Sequence, residues 1–359
     1  MLIIDGHLDL SMNALQWDRD LLQSVYTIRQ QENWNPQKGR ALGTVAFPEM
    51  RQGRIALSFA TLIARCTGQP VPHIDFRSPT QSYGMAHGQL AYYRALEQKG
   101  YVRIITDGTG LDNHMAEWQT WDEEADMNNT PPLGFVISME GADPILEPEQ
   151  LVLWWDAGLR LLGPTHYGPG RYAGGTGTEL GLTELGPPLL AEMERLGMAL
   201  DLTHCSDPAF WQALEHYSGP VLASHNNCRA LVPLQRQFSD EQLLAIIERG
   251  GVIGVAFDAV MLQPGWIIGH TTNENVTIAK VVDQIDHICQ LAGTCNHVAI
   301  GTDLDGGYGQ EQTPCDLDTI ADLQKLPGLL AERGYSGDDI AAILHGNWVR
   351  FLHEIWGDA

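Results

Sequence analysis

The sequence predicts an α/β protein folded as one (β/α)8 barrel with loop insertions, and three observations carry that expectation. Short β-branched apolar runs recur between helix-length amphipathic segments, the order of a parallel α/β sheet. Eight such runs can be drawn, the number a closed barrel needs. At 359 residues the chain has an ordinary length for one barrel with insertions. It has no repeat of fixed period and no composition break, so residues 1–359 read as a single domain.

In chain order the expected strands are Leu2–Asp5, Ile55–Thr61, Phe135–Met139, Leu159–Gly163, Met198–Thr203, Val221–Ser224, Val252–Phe257 and Val298–Thr302. A ninth run, Val102–Thr106, exceeds the count and reads as an accessory strand ahead of a long insertion. Helices are expected at 84–99, 184–197, 208–217, 239–250, 276–292 and 336–355. The last opens with Ser336 and a first turn containing Asp338 and Asp339, as a capped helix should. Its apolar positions Ile340, Leu344, Trp348, Phe351, Leu352 and Ile355 follow the helical period. Two stretches read as loops: the acidic segment Asp107–Pro132, and Gly163–Thr183 with its seven glycines.

Hydrophobic residues make up 44% and charged residues 18%, which supplies a large core and excludes global disorder. Against 21 Lys and Arg stand 45 Asp and Glu, a formal charge of −24. Such a surface repels phosphate backbones and anionic lipid, so neither nucleic acid nor a membrane is an expected partner. The six cysteines form no CxxC and read as reduced thiols, with a local Cys289–Cys295 pairing left open. Met1 is joined directly to Leu2-Ile3-Ile4-Asp5-Gly6-His7, without a basic stretch or cleavage site. No apolar run is long enough to span a bilayer, and Ile355–Ala359 carries no lipidation signal. The expectation is a soluble, cytoplasmic protein.

The residues just past each strand are the informative feature. Strand one runs into Asp5-Gly6-His7-Leu8-Asp9 and strand three ends in Ser138-Met139-Glu140. Strands four, five, six and eight lead to His166, His204, His225 and Asp303. Six of eight strands thus end in a metal ligand or an acid/base, and in a barrel those ends meet on the C-terminal face. His7 and Asp9 lie two apart on extended chain and share one face. Nitrogen and carboxylate donors suit Zn²⁺ or a similar ion, and His7, Asp9, His204, His225 and a bridging Glu140 could hold two. Each residue also has a plainer role. A single His at a strand end is commonly a hydrogen-bonded structural residue, Asp9 or Glu140 can cap a helix, and Asp303 or Asp305 can be a turn residue. Independent accidents would not all fall at the same end of successive strands, which favours the metal site. Phosphate-loop, H-E-x-x-H and G-x-S-x-G motifs are absent. Gly168–Ala173 matches a relaxed dinucleotide pattern, but contains Pro169 and precedes no apolar helix.

Taken together, Asp5–Asp9, Ser138–Gly141, Leu159–His166, Gly197–His204, Ala223–His225, Ser239–Leu243, Gly301–Gly306 and His345–Arg350 resemble the membrane (renal) dipeptidase family, peptidase M19, of the amidohydrolase superfamily. The ordered set covers essentially the whole chain. The resemblance implies a metal-dependent hydrolase barrel with two Zn²⁺ per chain, joined by Glu140 and a hydroxide. His7 and Asp9 would bind the first ion, and His204 and His225 the second. His166 would polarise the scissile carbonyl, Arg236 would grip the substrate's terminal carboxylate, and Asp303 would pass a proton to the leaving amine. Arg229 is the competitor of Arg236, and Asp305 that of Asp303. Relatives in the wider superfamily often bridge their metals with a carboxylated lysine; none of the four lysines here sits at a strand end, which leaves the bridge to Glu140. Leu8, Leu304, Gln237 and the loop Tyr167–Gly175 depart from the family's usual wording. The implied substrate is a dipeptide, with room for a D-residue at its C-terminal position, and the implied assembly is a homodimer. A lactone, a cyclic amide or an N-acyl amino acid on the same fold is the alternative, as is a metal-binding homologue without activity.

Overall fold

Every barrel strand is buried along essentially its whole length, as a sheet covered on both faces requires. The computed structural model describes residues 1–68, 71, 73–124 and 130–357. Its strands are β1 (Ile3–Leu8), β2 (Ile55–Leu62), β3 (Val102–Ile104), β4 (Leu133–Glu140), β5 (Leu159–Gly163), β6 (Ala199–Asp201), β7 (Val221–Leu222), β8 (Ile253–Val255) and β9 (Val298–Ile300). All pair in parallel in the order β7-β6-β5-β4-β2-β1-β9-β8. The ring closes at a bridge between Ala223 and Ile253, where the Ala223 N–H donates to the Val252 carbonyl at 3.0 Å and the Gly254 N–H to the Ala223 carbonyl at 2.8 Å. This is the expected (β/α)8 barrel. β3 lies off the ring, against Leu133–Phe135 of β4, as an accessory strand should.

One apolar layer fills the barrel and a second joins it to the helices. The inner layer contains Ile4, Phe59, Val136 and Ala299, with Trp348, Phe351 and Leu352 of the helix Asn347–Trp356. The Trp348 indole N–H donates to the Ile300 carbonyl at 2.9 Å. Gly6 makes that approach possible, because a Cβ there would lie 2.7 Å from the indole and 2.8 Å from the Ser224 carbonyl oxygen.

Three expectations are corrected. The acidic segment after Asp107 is not a loop: Gly108–Glu124 is a helix. Leu111, His114, Trp118 and Trp121 recur three or four apart and are buried, and the acids between them masked that period. Residues 125–129 of that expected loop lie outside the described residues. The expected helix 336–355 is three pieces, Gly337–Ala341 and Asn347–Trp356 joined by the π-turn Ala342–Gly346. Its Ser336 cap holds, donating and accepting with Asp339. Finally, β6, β7, β8 and β9 stop two residues earlier than expected, because the chain leaves the ladder to aim polar side chains across the barrel mouth. All six cysteines are free. No helix among the described residues is long and apolar enough to cross a membrane.

Candidate metal centre

Six barrel strands place a polar residue at one offset, the third position past their last residue. These are Arg65 after β2, His166 after β5, His204 after β6, His225 after β7, Asp258 after β8 and Asp303 after β9. β1 contributes His7 and the adjoining Asp9, and β4 ends on Glu140. His204 and Asp303 adopt left-handed backbone, with φ of 68° and 59°, a strain that non-glycine residues accept where geometry demands it.

All the sequence-expected ligands converge. Glu140 turns one oxygen to each side: Oε2 lies 3.8 Å from His7 Nε2, while Oε1 lies 3.0 Å from His204 Nε2 and 3.3 Å from His225 Nε2. His7 Nε2 is 3.8 Å from Asp9 Oδ1 and 3.9 Å from Asp303 Oδ1. Asp9 precedes the helix Leu10–Leu15, yet its carboxylate caps nothing. His7 Nε2 and Asp9 Oδ1 are buried without a hydrogen-bond partner. Buried polar atoms are rarely left so, and these two face one another across a space that a cation would satisfy. The opposite ring nitrogens are anchored. His7 Nδ1 faces the Thr61 hydroxyl at 3.3 Å, His204 Nδ1 the Thr176 hydroxyl at 2.9 Å and His225 Nδ1 the Ser224 hydroxyl at 2.9 Å. Each anchor leaves Nε2 directed into the cluster, the arrangement in which histidine ligates metal. The donor set therefore fits divalent metal, with Glu140 common to two of the three candidate ligand groups.

The electrostatics point the same way. Burial opposes charge on His7, but Glu140 and Asp9 overcome it and push its pKa up. Burial raises Glu140, with Asp9 adding to it, and raises Asp303 well above the usual carboxylate range, with Asp9 and Glu140 adding to that. His204 and His225 are driven well below their ordinary value, first by burial. The carboxylates are short of positive charge while these two imidazoles are held neutral, the protonation state that ligation needs.

A cavity of about 160 Å³ opens beside the cluster, lined by His166, Arg236, Asp258, Asp303 and Tyr308 among others. His166 Nε2 lies 3.7 Å from Glu140 Oε1. Arg236 is buried at the wall, donating to Asn226 Oδ1 at 2.7 Å and to the His225 carbonyl at 3.0 Å. Its competitor Arg229 is held by both oxygens of Asp207, at 2.7 and 2.8 Å, outside the cavity lining. Asp305 is likewise occupied below the mouth by Arg19, Thr44 and Val45. Sequence reasoning missed Arg65 and Asp258. Both stand at the shared offset, which counting from the last paired residue would have found.

The sequence pattern described as membrane dipeptidase (peptidase family M19) matches residues 1–356. An uncharacterized dipeptidase of Schizosaccharomyces pombe is 31% identical over 370 residues, covering 97% of this chain and 79% of that one. A dipeptidase of Aspergillus oryzae is 24% identical over 98% of this chain and 78% of its own. Among solved structures, a metallopeptidase from Rhodobacter sphaeroides, liganded with a phosphinate mimic of the dipeptide L-Ala-D-Ala, superposes with a TM-score of 0.78 at 24% identity, over 99% of both chains.

Proposed function

The chain belongs to the membrane dipeptidase family, peptidase family M19, and from that premise we propose a zinc-dependent dipeptidase whose metal centre is the cluster around Glu140. The observation that carries the proposal is the placement of Glu140, with His7 on one oxygen and His204 and His225 on the other. In this reading His7 and Asp9 would hold one zinc, His204 and His225 would hold the second, and Glu140 would serve both. When bound, the pair supplies a Lewis acid for the scissile carbonyl and a water activated as nucleophile near neutral pH.

The remaining roles belong to the chain's own residues. Arg236 keeps guanidinium N–H groups for the terminal carboxylate of the substrate, a match of planar fork to planar anion. His166 Nε2 faces the space in which the carbonyl oxygen develops charge and stabilises it there. Asp303, at the cavity wall with Oδ1 3.9 Å from His7 Nε2, would take a proton from the attacking water and hand it to the departing amine. One domain over residues 1–359, cytoplasmic residence and a homodimer complete the proposal; six free cysteines are compatible with a reducing compartment.

The test is hydrolysis of a mixed panel of L,L- and L,D-dipeptides by zinc-loaded protein, with Asp303→Asn as control. Cleavage that disappears in the variant supports the reading. Two zinc ions bound without cleavage of any dipeptide would overturn it and redirect the search to lactones, cyclic amides and N-acyl substrates.

A further inference from the structure

His166 differs from the other histidines of the cluster in what holds its second nitrogen. Hydroxyls stand against Nδ1 of His7, His204 and His225. A hydroxyl can turn to donate or to accept, so it permits a protonated Nδ1 and leaves the Nε2 lone pair for a metal. His166 Nδ1 instead faces Arg65 Nη1 at 3.0 Å. A guanidinium has donors only and keeps its charge at every pH at which proteins fold. His166 Nδ1 must therefore supply the lone pair, and a neutral imidazole with an accepting Nδ1 carries its hydrogen on Nε2.

We infer that Arg65 is a positioning residue that locks His166 in the Nε2–H tautomer, so that His166 offers the pocket a hydrogen-bond donor and not a ligating lone pair. The inference rests on the role given to His166 in the proposed dipeptidase. It also decides an ambiguity of placement. Glu140, His166 and His204 have potential ligand atoms within 4.8 Å of one another, a spacing that by itself admits His166 as a third ligand of one metal. The Arg65 contact removes it from that set and leaves it for the scissile carbonyl.

Arg65 is built to hold this position. It is buried, and its backbone is fixed on both sides: its N–H donates to the Ile74 carbonyl at 2.8 Å, and its carbonyl accepts from the Phe76 N–H at 2.8 Å and the Ser82 hydroxyl at 2.9 Å. Asp75 Oδ2 lies 3.7 Å from Nε and offsets the guanidinium charge. The groups facing the His166 ring are thus Arg65 on one side, Glu140 on the other, and the rings of Tyr167 and His204. The hydrogen bond shown at Nδ1 is the one from Arg65.

Nitrogen-15 spectra of the zinc-loaded protein labelled at histidine test this, with the His166 signals assigned by their loss in His166→Gln. The expected result is a protonated Nε2 and a bare Nδ1 in the parent protein, and loss of that fixed tautomer in Arg65→Met. Turnover of a dipeptide should fall about 10- to 100-fold in Arg65→Met, with KM and zinc content nearly unchanged. Arg65→Lys, whose ammonium is also donor-only, should restore the tautomer and part of the rate. A protonated Nδ1 in the parent protein would overturn the inference, as would parent-like kcat in Arg65→Met or the loss of a zinc from that variant alone. If no dipeptide is cleaved at all, the dipeptidase reading fails while the spectra still decide the Arg65 assignment.

Discussion

The two ends of the barrel grow from the same eight strands and are built on opposite rules. The N-terminal end is closed by the helix Asn347–Trp356, with Trp348 and Phe351 packed on Ile4, Val136 and Ala299. The polar side chains that face the strands there are paired: Asn347 donates to the Cys295 and Val298 carbonyls at 2.6 and 2.8 Å, and His114 Nε2 meets the Ala56 carbonyl at 2.8 Å. The C-terminal end gathers carboxylates and imidazoles, leaves His7 Nε2, Asp9 Oδ1 and the Tyr308 hydroxyl unpartnered, and holds His204, Asp303 and Asp305 in left-handed backbone. The closing helix keeps two buried nitrogens of its own without a partner, Arg350 Nε and Trp356 Nε1, so what sets the C-terminal end apart is that its unpartnered atoms include ligand-type groups gathered in one cluster. The difference teaches where folding free energy is gathered and where part of it is given up for chemistry.

If that division is right, substitutions at the two ends should separate activity from stability. The largest effect is expected for Asp303→Asn, which should lower turnover by about 10²- to 10⁴-fold, the range of a removed general acid. Metal content and melting temperature should stay close to the parent's. A melting temperature that collapsed with the rate would show Asp303 to be structural and break the comparison. Trp348→Ala is the converse. It should cost about 3–5 kcal/mol of stability, as removal of a large buried aromatic does, seen in denaturant unfolding, while zinc bound per folded chain is retained.

The same division explains what could be read in advance. His166, His204, His225 and Asp303 were legible because a polar residue just past an apolar run is conspicuous, and four of them in register are more so. Arg65 escaped because it lies four positions past Thr61, the expected strand end, although β2 runs on to Leu62 and places Arg65 at the common offset. The helix Gly108–Glu124 escaped because its acids drew attention away from Leu111, His114, Trp118 and Trp121. The π-turn at Ala342–Gly346 has no local signature: beyond it Asn347 meets Val298 at the start of β9 and Trp348 meets Ile300 at its end, a demand of the tertiary fold. That Arg229 is taken up by Asp207 while Arg236 lines the cavity was not legible either, since no spacing rule connects Arg229 to a residue 22 positions away.

Two smaller effects sharpen the contrast. Arg236→Ala should lower kcat/KM for dipeptides with a free carboxylate by about 10- to 100-fold, as loss of a charge-assisted hydrogen bond does. Carboxyl-amidated substrates should be affected much less, and an equal loss on both would remove the carboxylate assignment.

At the opposite end, His114 carries the smallest prediction and the cleanest sign. Burial pushes its pKa down to about 4, with the Ala56 carbonyl acting against that and Arg103 reinforcing it. The unfolded chain takes up this proton near the ordinary value of about 6.5, before the folded chain does. The stability tied to a neutral His114 is therefore fully present above pH 6.5 and is lost as the pH falls toward 4. His114→Gln keeps a side-chain N–H that can reach the Ala56 carbonyl but cannot titrate. Its melting temperature should therefore fall less steeply than the parent's over that window, by about 1–3 °C at the acid end. Since the site histidines titrate in both proteins, the difference between the two curves isolates the N-terminal end. Parallel curves would mean that this end does not set the acid sensitivity assigned to it.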